Sequence, residues 1–147
     1  MKKQFTLSLA LLAGSLMMGC SSSSSASDST PSYNPDDCTL AEEGIKILLP
    51  AGDEEYKIGD SVTIVFVANY SNAGGFKVLY KANVDDQGSQ LFANSIGDEA
   101  PDGTECTEVK ALLSEKLSAS TEAFIRVEAY NAGKIRANSN TFTVKAK

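Results

Sequence analysis

"SVTIVFVAN", Ser61 to Asn69, decides the fold. In an extended chain Val62, Ile64, Phe66 and Ala68 fall on one face, and Val65 and Val67 fall on the other. Strand side chains alternate between faces, so a stretch that is apolar on both belongs at the centre of a sheet. The same period of two recurs on either side. "GIKILLP" (44–50) points Ile45, Ile47 and Leu49 one way. "FKVLYKA" (76–82) alternates Phe76, Val78 and Tyr80 with Lys77, Leu79 and Lys81. "AFIRVEAY" (123–130) sets Ile125, Val127 and Ala129 inward and Arg126 and Glu128 outward. "TFTVKA" (141–146) sets Phe142 and Val144 against Thr141, Thr143 and Lys145. Gly-, Asn- and Asp-rich turn clusters separate these runs, and "NAGK" (131–134) reads as a tight hairpin joining the last two. "EVKALLSEKL" (108–117) reads as a strand start leading into a crossover loop, with a short helical turn as the rival. Several short strands within about 110 residues predict one all-β sandwich over residues 38–147.

"ILLPAGDEEYKIGDSVTIVFVAN" (47–69) is similar to the opening of a family of secreted immunoglobulin-like domains. These are the Kre9/Knh1-like domains of the Ser-Thr-rich anchored wall-protein type. Pro50, Gly52, Tyr56, Gly59, Asp60, Val62 and Ile64 match its pattern, and Phe66 stands where the family has tryptophan. "TEAFIRVEAYNAGKIRANSNTFTV" (121–144) resembles its closing strands. The resemblance implies an immunoglobulin-like sandwich of about seven strands in a wall- or surface-associated module linked to polysaccharide. It carries no catalytic residues.

The N-terminus supplies an address. Lys2 and Lys3 precede an apolar run from Phe5 to Met18. As a helix this run is roughly 21 Å long, short of the ~30 Å hydrocarbon core and suited to the h-region of a secretory signal. No A-x-A cleavage pattern closes it, as an ordinary secreted protein would require. "LMMGC" instead resembles a bacterial lipobox, with Met17 where the pattern prefers leucine. That resemblance implies a signal peptide over residues 1–19, cleavage after Gly19, and acylation of Cys20. A palmitate-class anchor of two or three chains holds a protein permanently where one chain does not. Ser21, in place of the aspartate that retains enterobacterial lipoproteins at the inner membrane, points to the outer membrane. Residues 20–37 are rich in Ser and Pro and are expected to form a disordered linker.

With Cys20 acylated, Cys38 and Cys106 remain. Export to an oxidising compartment predicts a disulfide between them, with two buried thiols as the alternative. Closing a loop of more than 60 residues is worth roughly 4 kcal/mol in the chain-entropy account.

Composition narrows the function. The chain carries a formal charge of −6, and removing residues 1–19 takes two lysines and no acid, leaving −8. An acidic chain without a basic cluster is an unlikely nucleic-acid partner. Histidine is absent, which removes His-dependent nucleophile pairs and the usual neutral-pH base. Glu54, Glu55, Asp85, Asp86, Asp98 and Asp102 all fall in expected loops and show no pairing across a cleft, so catalysis ranks last. "NVDDQGSQ" (83–90) lacks the ligand order of a calcium loop and reads as a solvated hairpin. No metal or cofactor is expected. Glycans are gripped by exposed rings, and tryptophan is absent. Tyr70, placed in a loop, is the leading candidate for ligand binding. Tyr80, which alternates with core positions, and Tyr130, at a strand end, follow. These readings predict a non-enzymatic, lipid-anchored protein of the bacterial cell envelope. It presents one sandwich for adhesion, scaffolding or contact with an envelope protein. The alternative is a carbohydrate-binding module for wall or plant polysaccharide.

Overall fold

The computed structural model describes residues 32–71, 74–94 and 99–147, and every structural statement below concerns those residues. They form two packed β-sheets. One has three strands in the order β1 (Gly44–Leu49), β3 (Ser61–Asn69) and β6 (Asp102–Leu112). The other runs β2 (Glu55–Lys57), β9 (Phe142–Lys145), β7 (Ser120–Ala129), β4 (Phe76–Lys81) and β5 (Ser89–Asn94), with β8 (Ala132–Asn138) also paired to β7.

Nine segments reduce to seven strands. β1 pairs with β3 in one sheet, and β2, a few residues later, pairs in parallel with β9 in the other. The two are one strand that changes sheets across a cis Leu49–Pro50 bond. β8 and β9 both flank β7 on the same side and form one strand interrupted around Ser139–Thr141. The antiparallel pairs β3–β6 and β4–β7 each lie within one sheet, and the chain crosses between the sheets from β3 to β4, from β5 to β6 and from β6 to β7, as in an immunoglobulin-like Greek-key sandwich.

β3 is the middle strand of its sheet, as its two-faced apolarity requires. Val62, Ile64 and Phe66 point into the core with Val109, Ala111, Val78, Tyr80, Ile125, Val127, Phe142 and Val144. Phe66 meets Phe76 of the opposite sheet edge-on at 4.8 Å between ring centroids. Aromatic pairs at that spacing add to simple burial. Residues 108–112 are strand, which decides against the helical turn. β5 and β2 were not foreseen. β8 adds a strand between the 131–134 turn and the final strand, so the hairpin joins β7 to β8 around Tyr130–Asn131.

Tyr56 on β2 carries a local conflict. Its ring meets Phe142 at 5.4 Å, but its hydroxyl is buried without a hydrogen-bond partner. Burial and the nearby Glu54 carboxylate push its pKa up to about 12. A buried hydroxyl without a partner costs about 1–3 kcal/mol. Tyr56→Phe keeps the ring and removes the oxygen. It is expected to stabilise the domain by about 1 kcal/mol and raise the melting temperature by roughly 4 °C in a thermal scan. A lower melting temperature would show that the hydroxyl has a partner.

The N-terminal segment is stapled to the small sheet. Cys38 and Cys106 form a disulfide with Cα atoms 5.0 Å apart. Leu40 N–H donates to the Gly103 carbonyl at 2.9 Å, and Asn69 Nδ2 donates to the carbonyls of Leu40 and Ala41. Gly103 has φ +78, and a Cβ there would lie 2.0 Å from the Leu40 oxygen, so only glycine lets the segment dock. The end of the expected disordered linker is also ordered. Asn34 caps a single 3-10 turn, Pro35–Asp37, and Asp37 meets Lys46 at 3.3 Å. A proline-started turn with its own cap needs little buried surface to form, which composition alone does not register. Residues 1–31, with the expected cleavage site and Cys20, lie outside the described residues. No described helix is long and apolar enough to cross a membrane.

Candidate functional site

Two of the three candidate rings are not surface rings. Tyr70 is 4% exposed, and its hydroxyl donates to the Gly75 carbonyl at 2.9 Å. It directly follows β3, and its backbone N–H bonds to Pro101, which draws the ring inward as a continuation of the core row. There it walls a cleft of about 280 Å³ with Phe66, Phe76 and Pro101. Tyr80 is 1% exposed and donates to the Ser118 carbonyl at 2.6 Å, fastening β4 to the loop before β7. Burial raises the pKa of both phenols, with Asp86 adding to the effect at Tyr80. Both therefore serve the core. Tyr130 remains, 46% exposed at the β7–β8 turn.

The loop acids are held by their own surroundings. Glu54 accepts from the N–H groups of Ala51 and Gly52, each at 2.7 Å. Glu55 pairs with Lys145 at 2.6 Å. Asp102 is bonded by the Thr104 hydroxyl and N–H, which lower its pKa. Asp98 lies outside the described residues. In the 83–90 hairpin Asp86 accepts from the N–H groups of Ala82 at 2.8 Å and Gly88 at 3.0 Å. No three metal-ligating side chains converge among the described residues.

The Asp86 bonds give a pH dependence. The backbone donors at Ala82 and Gly88 hold its carboxyl below the ordinary carboxylate value. A carboxyl depressed by folding stabilises above its unfolded pKa, and that contribution is lost as pH falls through the folded value. Asp86→Asn keeps one acceptor oxygen and cannot titrate. The stability gap between the two proteins is expected to be present at pH 7 and to close progressively below pH 4 in urea titrations. A gap that is constant with pH would contradict the assignment.

A feature that the one-dimensional reading missed lies on the outer face of the larger sheet. Register places residues in rows across β4, β7 and β8. Lys77, Glu128 and Arg136 form one row, Leu79, Arg126 and Asn138 the next, and Lys81 and Phe124 a third. Lys77 Nζ is 2.6 Å from Glu128 and 5.9 Å from the Tyr130 ring centroid, so the exposed tyrosine closes one end of the face. Arg126 Nε donates to Asn138 Oδ1 at 2.8 Å. Lys81 and Arg126 flank the buried Phe124 ring at 5.8 and 6.0 Å. Four cations, Lys77, Lys81, Arg126 and Arg136, thus share these rows with Glu128, on a chain that is acidic as a whole. Arg126 and Arg136 have no carboxylate within ion-pair distance among the described residues, whereas Lys81 is buried and interacts with the Asp86 carboxylate. The cluster is invisible along the chain because its members come from three strands, and only register brings them together.

The opposite outer face is occupied. Lys46, Val67 and Cys106 form a row across the small sheet, and Asp37 and Cys38 lie over it through the ion pair and the disulfide. The chain therefore enters the domain on the small-sheet side.

No family model matches this chain, and no curated protein is detectably similar to it.

Proposed function

We propose that this chain is a non-enzymatic lipoprotein of the bacterial cell envelope. Cleavage after Gly19 and acylation of Cys20 anchor it, with the outer membrane as its site. Residues 20–37 tether one immunoglobulin-like sandwich that contacts an envelope or surface partner. The lipobox-like "LMMGC" and the short apolar run before it support the anchor. The observation that carries the presentation role is the stapled entry of the chain. Asp37 and Cys38 cross the small sheet, so the tether joins on one side and the larger sheet's outer face is turned away from it. A stapled entry on one side, with Tyr130, Arg136 and Asn138 exposed on the other, suits a module that presents a surface.

A second reading, binding of wall or plant polysaccharide, keeps support from Tyr130 alone among the three rings. The anchor is tested by fractionation and intact mass. The native chain is expected in the membrane fraction, beginning at Cys20 with added acyl mass, and Cys20→Ser is expected in the soluble fraction. A native start elsewhere, or unchanged fractionation of Cys20→Ser, would overturn the anchor.

A further inference from the structure

We propose that the outer face of β4, β7 and β8 is a binding surface for a carboxylated polysaccharide, with Arg126 and Arg136 as its principal carboxylate contacts and Tyr130 as its sugar-stacking end. This rests on the reading of the domain as a non-catalytic presenting module, and it names the ligand class for that module.

Charge segregation is the first argument. The chain beyond residue 19 has a formal charge of −8, but Lys77, Lys81, Arg126 and Arg136 gather on one side of one sheet. Lys77 is committed to Glu128 at 2.6 Å. Lys81 is buried and interacts with the Asp86 carboxylate. Arg126 and Arg136 are not paired with carboxylates among the described residues, and like charges kept together without such partners favour an anionic ligand.

Geometry selects the kind of anion. Arg136 faces Glu128 and Arg126 faces Asn138, so the two arginines are diagonal neighbours across β7 and β8, about 7–8 Å apart. Each guanidinium can take a carboxylate with two parallel hydrogen bonds. Arg126 is already oriented by Asn138. From Phe124 to Tyr130 the strand rises about 20 Å, long enough for several sugar units in a row. The exposed Tyr130 ring supplies an apolar plane at one end, while Asn138 and Gln90 add polar groups.

Competing partners fit less well. An acidic peptide would add to a sheet through an unpaired edge; β4 and β7 have both edges paired, which leaves only β8 of this face, and polyglutamate in the test below reads that outcome. A lipid surface favours apolar side chains that can insert, and Phe124 is only 6% exposed.

The test is calorimetric titration of the full chain, in a neutral-detergent buffer, with polygalacturonate, dextran and polyglutamate. Binding to polygalacturonate is expected, weakening at least tenfold between 50 and 500 mM NaCl. Dextran and polyglutamate are expected to bind at least tenfold more weakly. The double variant Arg126→Gln/Arg136→Gln should lose at least tenfold in affinity, and Tyr130→Ala several-fold. Lys46→Gln/Lys110→Gln, which removes two cations from the small sheet, should bind as the native chain does. Circular dichroism establishes that each variant is folded. No binding to polygalacturonate overturns the proposal. So does equal binding by the arginine variant, or equal binding of dextran or polyglutamate. Lipidation is read separately by mass, so failure of the ligand and failure of the anchor are distinct results.

Discussion

Replacing both Cys38 and Cys106 with serine is expected to lower the unfolding free energy by about 4 kcal/mol. The bridge joins residues 68 apart in sequence, so reduction releases a long loop in the unfolded chain. It also frees the segment that Gly103, Asn69 and Lys46 hold against the small sheet. With a urea slope of roughly 1.5 kcal/mol/M, the midpoint should fall by about 2–3 M. Adding reductant to the native protein should reproduce most of that fall and do nothing to the double variant. A midpoint that moves by less than about 0.5 M in both experiments would mean that the bridge is not closed in the folded protein.

Phe66→Ala is expected to be about as damaging, at about 3–5 kcal/mol. Phe66 is 1% exposed and touches Phe76 across the gap between the sheets. Phe76 in turn stacks on Phe92 of β5 at 5.8 Å, so the loss would reach the sheet edge. Truncation removes the ring, leaves a cavity and ends an edge-on aromatic contact that adds about 0.5–1.5 kcal/mol to burial alone. Phe66→Leu, which keeps more of the volume, should cost less than half as much. Equal effects from the two variants would mean that the ring does not bridge the sheets. Chemical denaturation of the two variants beside the native chain decides it.

What the sequence could disclose follows from how local each signal is. β3 was legible because both of its faces are buried, and two-faced apolarity needs no partner to be recognised. β4, β7 and β9 were legible by simple alternation. β2 has three residues and exists only because β9, almost ninety residues later, offers it a parallel edge. β5 has the mixed burial of an edge strand and a bulge against Leu79, which breaks its period. Ile135 and Ala137 gave β8 too weak an alternation to notice.

The candidate site divides along the same line. The Cys38–Cys106 pairing was legible on the expectation that Cys20 is acylated, which leaves two of the three cysteines. Exposure of a ring was not. Tyr70 follows a strand, and a following residue can turn outward or continue the core row. Here the hydrogen bonds to Pro101 and Gly75 choose the second. The cationic face was hidden for a stronger reason. Lys77, Arg126 and Arg136 lie far apart in the chain and meet only through the β4–β7–β8 register, which no one-dimensional period encodes.

The most direct measurement is a proton NOE spectrum of the folded domain with its phenylalanine rings assigned. Two sheets closed face to face require strong cross-peaks between the Phe66 and Phe76 rings, whose centroids lie 4.8 Å apart. Their absence, with β3 contacts confined to β1 and β6, would leave the small sheet unpaired with the large one and contradict the sandwich on which the presenting face depends.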